Sequence, residues 1–513
     1  MTLRIQWRQS PPSRSPKRLR EERRHGRVCR VTAGLLMAVG ALATAAEAAR
    51  INDLSVAAAT YVGGDGNDAA GGVDVAPDGT LLFAGRLPDH TPGGAPSVDI
   101  LGGGDGAVVR YAADGRTALR VARLGDGAVD LESTDDGRVA VGAEGLGLVL
   151  LDASLTGADW HDPLPDVVRV AAGGEGAALR VAALTSAKRV RVFDTDGMPV
   201  GERTFTDSVV ADVTVAPDGA TVVVTGYNNR NTGGGTPVQI PFLRAYEPTL
   251  TALQWRAYDW SADQLVDDQQ SSLADSRGLR VAFGEDGRLY FAGRTDGGNH
   301  TFRYDPLIAD RRLPPDELIS FDEYNNTAGI SGSAAITVFG RFDPGTGDVL
   351  KIQLLLARLM SGNGNSVVPA SIIADREGRV FVGGQAFATI QNRSDQRLEG
   401  QSVGPYQGGE AYLLVVDPDF LEREVWTVFT AAGGSQGSSV VGVGVRDGRA
   451  AWAASLGNAT ARMLRHEALQ DVRNAGDSAY LGTRRWALFE DGFESGDVGA
   501  WDAVVPSIPR FSP

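Results

Sequence analysis

Apolar and polar positions alternate along this chain in short runs, and one unit returns again and again. An alternating apolar run reaches a turn ending in Gly, and a second apolar run follows. The clearest copies are GGVDVAPDGTLLFAG (71–85), VADVTVAPDGATVVVTG (210–226), GLRVAFGEDGRLYFAG (278–293), ASIIADREGRVFVGG (370–384) and VVGVGVRDGRAAWAAS (440–455). Period-two alternation predicts half-buried strands, and Asp-Gly or Glu-Gly between two of them predicts a hairpin whose turn needs positive φ. Repetition on this scale predicts a modular all-β array.

The turn glycines Gly79, Gly137, Gly176, Gly219, Gly287, Gly378 and Gly448 mark seven units. The shortest interval between them is about 40 residues, the length of one four-stranded propeller blade. A third strand follows each hairpin, as in GGGDGAVVRYAADG (102–115) and GGEAYLLVVDPD (408–419). A fourth follows that, as in TALRVARL (117–124), TALQWRAY (251–258) and EREVWTVF (422–429). The seventh unit lacks a convincing fourth strand, whereas AAATYVGG (57–64) is a spare strand before the first. The expectation is an all-β, seven-bladed β-propeller of four-stranded antiparallel blades. Residues 57–64 are expected to complete the last blade beside residues 478–487, leaving no open edge.

Residues 1–49 read as a signal peptide with a long basic n-region. Arg18, Arg20, Arg23, Arg24, Arg27 and Arg30 precede VTAGLLMAVGALATAAEAA, and Ala46 and Ala48 place small residues at a cleavage site. The apolar run is short for a membrane span, so the mature chain is expected not to cross a membrane. The expected layout is leader 1–49, propeller 50–487 and tail 488–513, with a secreted, extracellular or periplasmic location. The leader holds the one cysteine, Cys29, so a cleaved chain has no disulfide, cysteine metal site or thiol nucleophile. Residues 1–48 also carry 10 of the 49 basic and 3 of the 64 acidic residues, which leaves the mature part at −22. That charge opposes nucleic acid and anionic membranes as partners.

TYVGGDGNDAAGGVDVAPDGTLLFAGR (60–86) resembles the β-propeller repeat of secreted bacterial proteins called SBBP. Tyr61, Gly63, Gly64, Gly66, Asn67, Asp68, Asp78, Gly79 and Gly85 carry the likeness. The resemblance implies a propeller in an exported bacterial protein and implies no activity, because such a repeat defines a fold. The tail LFEDGFESGDVGAW (488–501) resembles an Asp-Gly-Phe-Glu-Ser-Gly segment of secreted bacterial proteins.

Alternating strand direction places first-to-second and third-to-fourth connections on one rim, where this chain has tight Asp-Gly turns. Second-to-third connections fall on the other rim, and the insertions gather there: 87–104, 227–240, 294–338, 386–408 and 457–475. Long loops on a rigid scaffold are where binding residues concentrate. The candidate ligand-binding residues are Tyr227, Asn229, Arg230, His300, Arg303, Tyr304, Asp322, Tyr324, Asn325 and Tyr406. Rings beside amides and carboxylates suit sugars, and equally suit anchoring loops to the disc with Asn at turns.

No catalytic residue is assigned. Gly400-Gln401-Ser402-Val403-Gly404 and Gly433-Gly434-Ser435-Gln436-Gly437 fit Gly-x-Ser-x-Gly, yet neither precedes a helix as a nucleophile elbow requires. His90, His161, His300 and His466 lack metal spacing, so no metal site is expected. The sole cofactor candidate is calcium at Asp65, Asn67 and Asp68, set against plain turn formation. Asp343-Pro344-Gly345-Thr346-Gly347 reads as a turn. Asp322, Glu323 and Glu410 could serve glycoside chemistry if two carboxylates stood roughly 5–10 Å apart.

These readings favour an exported, non-catalytic binding or surface-interaction protein whose partner is a glycan, a surface polymer or a protein. The alternatives are an extracellular carbohydrate-active enzyme, a glycoside hydrolase or polysaccharide lyase, using carboxylates on the long-loop rim, and a purely structural repeat module. N-terminal sequencing of secreted material should place the mature start near Ala49. Material retaining Leu35–Ala46 would mark a membrane anchor instead.

Overall fold

The computed structural model describes residues 51–486, apart from 232–236, 262–263, 265–272, 320–321, 328–329, 331–333, 435–436, 458–459 and 474–477. The expected leader and the expected tail lie outside the described residues.

Alternation becomes strands as expected, and the strands assemble into seven sheets with four consecutive antiparallel neighbours each. Their innermost strands are Ala69–Val75, Ala128–Ser133, Val167–Gly173, Val209–Val215, Ser276–Phe283, Val367–Ala374 and Ser438–Arg446. Each packs on the next, and Ser438–Arg446 packs back on Ala69–Val75, so the sheets form the ring of a β-propeller. The spare strand closes it: Ala58–Val62 pairs antiparallel with Ser478–Arg485, Tyr61 opposite Tyr480, as the outermost strand of the last sheet.

The turns explain the Asp-Gly signature in two ways. In the first blade Gly79 has φ +78° and donates its N–H to Ala76, while the Asp78 carboxylate accepts from the Thr80 N–H at 3.0 Å. Only the glycine takes positive φ, and Asp works through its side chain. The same bond recurs from Arg116 to Asp114, Ala220 to Asp218 and Arg288 to Asp286. Blade seven alone uses the two-residue turn, with Asp447 at φ +49° and Gly448 at +71°.

A second recurrent glycine lies within the second strand: Gly85, Gly226, Gly293 and Gly384. All seven innermost strands slip by one residue near their start, for example between Ala70 and Gly72 or between Gly278 and Arg280. These glycines stand opposite the residue before that β-bulge. A Cβ on Gly293 would lie 2.4 Å from the Arg277 carbonyl oxygen and 2.8 Å from the Phe291 ring. The repeated Gly therefore makes room for the repeated bulge.

Between blades, side chains of facing sheets form seven hydrophobic clusters among the described residues, one for each pair of neighbouring blades. Phe83, Phe291, Trp426 and Trp452 are fully buried, each contributing on the order of 2–3 kcal/mol by removal from water. Blades one and five carry a fifth strand that the alternation did not announce. Ser97–Gly103 pairs parallel with Ala118–Leu124, and Leu318–Ile319 pairs parallel with Val349–Leu355, covering outer edges. Residues 227–240 correct an expectation. Two strands of blade four extend into their described part as Val222–Asn231 and Pro237–Tyr246, with Tyr227 opposite Pro241 and Asn231 opposite Pro237. Polar residues remain in strand there because each still has a cross-strand partner. No helix among the described residues is long and apolar enough to cross a membrane.

Substituting Gly293→Ala should destabilise the protein by about 1–3 kcal/mol through overpacking at the bulge. Urea denaturation followed by tryptophan fluorescence reads this directly. An unchanged midpoint would mean that the bulge tolerates a Cβ.

Candidate functional site

The long-loop rim is built mainly by packing. His300 is buried against Phe302, and burial, with Arg303 beside it, pulls its imidazole down to about 3, so it stays neutral. Arg303 donates to the Gly298 carbonyl at 3.2 Å. Tyr304 is buried edge-on to Trp260, with the Arg312 guanidinium over its ring. Asn325 is buried and donates to Gln353 Oε1 at 2.9 Å. Tyr324 is half-buried and meets Trp426 edge-on at 5.4 Å. In blade four, Tyr227 lies under the Arg277 guanidinium, Asn229 is exposed, and Arg230 approaches Asp259 at 3.8 Å. Tyr406 is half-buried near Arg393, whose guanidinium stands 6.0 Å from its ring.

The carboxylates considered for glycoside chemistry have partners. Arg423 donates to Asp322 Oδ1 at 2.8 Å, and Gln391 donates to its other oxygen at 3.1 Å. Glu410 is fully buried and takes two bonds of 2.6 Å from Arg393. Burial pushes its carboxyl up against the pull of that guanidinium. Such a pair fixes geometry, and breaking it by removing one partner costs about 3–5 kcal/mol. Glu323 is exposed.

The remaining motifs settle into structure. Gln401–Ser402 forms a two-residue strand on Arg397–Leu398, which is not a nucleophile elbow. The serine of the other Gly-x-Ser-x-Gly stretch lies outside the described residues. Asp343 accepts from the Gly345 and Thr346 amides, which makes it a turn residue. Asp68 is buried and accepts from the Gly64 N–H at 2.8 Å, and burial pushes its carboxyl up to about 6. Asp65 and Asn67 are exposed. Among the described residues, no group of three or more His, Cys, Asp or Glu is placed to hold a metal ion.

The site that the sequence reading missed is the bore of the ring. Its cavity has a volume of about 400 Å³ and is lined by all seven innermost strands. The residue directly after the bulge is charged in four successive blades, with alternating sign: Asp130, Arg169, Asp212 and Arg280. Each carboxylate reaches the unpaired edge of the following blade. Asp130 accepts from the Val170 N–H and Asp212 from the Val281 N–H, both at 3.0 Å. Arg280 donates to the Ala370 carbonyl, and Ser371 Oγ accepts from the Val443 N–H at 3.0 Å. In blade one, two residues past the position after the bulge, Asp74 accepts from Ser133 through both its N–H and its Oγ, at 2.8 and 2.6 Å. Arg169 Nε lies 3.7 Å from Asp212. The signal was present in the sequence. These residues stand seven positions before the turn glycines Gly137, Gly176, Gly219 and Gly287, as charges inside the innermost strands.

Protein surrounds these groups while water reaches most of them through the bore. Burial pushes the Asp130 carboxyl up to about 6 despite Arg169. Glu132 is driven well above the carboxylate range by burial and then by Asp74 and Asp130. Arg280 is pulled down to about 10 by burial and Arg169.

No family model matches the chain, and no curated protein matches it. Solved structures similar to it include the structure of U3-55K, at 9% identity and a TM-score of 0.45. The crystal structure of RRP9 WD40 repeats is similar at 10% identity and a TM-score of 0.45. Each comparison covers 83% of this chain and 98% of the other. Likenesses this distant say nothing about what this chain binds.

The raised carboxyls set a pH dependence. A carboxyl whose folded pKa exceeds its unfolded value of about 3.9 favours the folded state below that value. This contribution is lost as pH rises through about 6 for Asp130. Stability should therefore fall between pH 4 and pH 6. Asp130→Asn should flatten that slope by on the order of 2 kcal/mol. Melting temperatures across this range test it, and an unchanged slope in the variant would show that Asp130 ionises normally.

Proposed function

We propose that this chain is an exported propeller of the SBBP type that binds a protein partner, without catalysis, through the long-loop rim. The observation that carries the reading is an apolar patch there. The hairpin Ala357–Arg358 to Gly364–Asn365 stands between blades five and six, and Arg358 exchanges two backbone hydrogen bonds with Thr389. Its tip presents Leu359 and a fully exposed Met360, with Phe387 exposed nearby in sequence to Thr389. Exposed Met and Phe side chains suit an apolar protein surface. The rings that would serve as sugar platforms, Tyr304 and Tyr324, are engaged with Trp260 and Trp426. The carbohydrate-active alternative needs free carboxylate pairs, and Asp322 and Glu410 are each closed by a guanidinium.

A photo-crosslinking residue placed at Met360 in the producing cell should give one discrete adduct, and Phe387→Asp should remove it. The same crosslinker at Met198, in a third-to-fourth turn on the other rim, serves as the control. Adducts from position 198 but not from 360 would overturn the assignment of the rim.

A further inference from the structure

We propose that the bore of the propeller is a binding site for a small zwitterion, with Asp74 and Glu132 receiving an ammonium group and Arg169 and Arg280 receiving a carboxylate. This site opens among the tight turns, away from the long-loop rim, and stands independently of the partner proposed there.

The first support is charge layout. Blades one and two bring Asp74, Asp130 and Glu132 to the cavity, blades three and five bring the guanidinium groups of Arg169 and Arg280 with Asp212 of blade four between them, and Arg376 and Arg446 line it from blades six and seven. Asp74, Asp130 and Glu132 thus come from blades other than those that bring Arg169 and Arg280, as two opposite charges on one solute require. The second support is room. Blades six and seven offer Ser371, Gly442 and Gly444 to the lining, and about 400 Å³ lies within the range of small-molecule pockets, roughly 300–1,000 Å³.

The third support is unused bonding capacity. Asp130, Asp212 and Asp74 each use Oδ2 on the neighbouring blade, while Asp74 Oδ1 accepts from the Val75 N–H and keeps one lone pair. Arg169 uses Nη1 on Val168 and turns Nε toward Asp212. Arg280 uses Nε on Ala370 and Nη1 on Leu279. These bonds leave Nη2 of both arginines without a protein partner. Glu132 meets the Ala172 N–H and lies among three other carboxylates. A cation placed beside it would relieve the repulsion from Asp74, Asp130 and Asp212. Bonds to charged partners in such a low-dielectric bore are stronger than in water.

The test uses the full secreted chain and L-amino acids as probes, each compared with its N-acetyl and its methyl-ester derivative. Thermal shift and titration calorimetry should find at least one free amino acid that binds, with both blocked derivatives at least tenfold weaker. Glu132→Gln, nearly isosteric, should weaken that probe at least tenfold while the methyl ester stays weak. Arg280→Met should do the same, and if it fails to fold, Glu132→Gln and the blocked derivatives decide. The proposal is overturned if no amino acid binds. It is also overturned if one blocked derivative binds as well as the parent, which would define a simple anion or cation site. Unchanged affinity in Glu132→Gln would overturn it too.

Discussion

Every innermost strand of this ring has one edge that no other strand covers. Its N–H and C=O groups face the bore and must find partners there, since a buried backbone group without one is costly. The chain meets this need with side chains from the preceding blade: Asp74, Asp130, Asp212, Arg280 and Ser371 each bond an edge group of the next. The bulge at the start of each strand offsets it by one residue and turns these side chains toward the neighbour. The glycine opposite the bulge, as at Gly293, admits the displaced carbonyl. Bulge, glycine and charge form a single solution, and the polarity of the bore follows from it. At the seam between last and first blades, Gly442 and Gly444 stand where a Cβ would lie 2.9 and 2.5 Å from backbone atoms of Val73 and Asp74. The seam therefore closes by backbone proximity together with Ser455, whose Oγ accepts from the Ala70 N–H at 3.0 Å and donates to the Ala70 carbonyl at 3.1 Å.

Much of this fold was legible because it depends on local rules repeated many times. A turn glycine with positive φ and a strand with period two leave marks that do not depend on distant residues. The closing strand was legible for a different reason: one unit had three strands and the chain had one left over. The parallel additions at Ser97–Gly103 and Leu318–Ile319 were not legible, because they sit in insertions and pair by proximity to an outer edge. The extended strand at Val222–Asn231 was hidden by composition, since Asn and Arg at a strand end resemble a loop until their cross-strand partners are known.

The candidate site divides along the same line. The long-loop rim drew attention through its aromatic and amide residues, and the structure engages several of them in its own support. Trp426 holds Tyr324, Gln353 holds Asn325, and Arg423 holds Asp322. Long insertions need such internal anchors to be ordered at all. The bore went unnoticed because four isolated charges, each in a different repeat, look like solvent-facing positions of a two-sided strand. Their common offset from the turn glycine separates them from surface charge, and that offset emerges once the repeats are aligned on those glycines.

The clasp between Ala58–Val62 and Ser478–Arg485 also imposes an order in time. Its two halves are separated by some four hundred residues, so the first strand has no partner while nearly all of the chain is being made. At ordinary elongation rates this interval is roughly 20–80 s. For that period an apolar strand, Ala58-Ala59-Thr60-Tyr61-Val62, must stay unpaired, and all five of its residues are buried in the finished ring. Long-range pairing of this kind is slow and leaves strand edges exposed meanwhile. The last event of folding is thus the return of the beginning of the chain, and the nascent protein depends on whatever keeps that segment from pairing elsewhere until its end arrives.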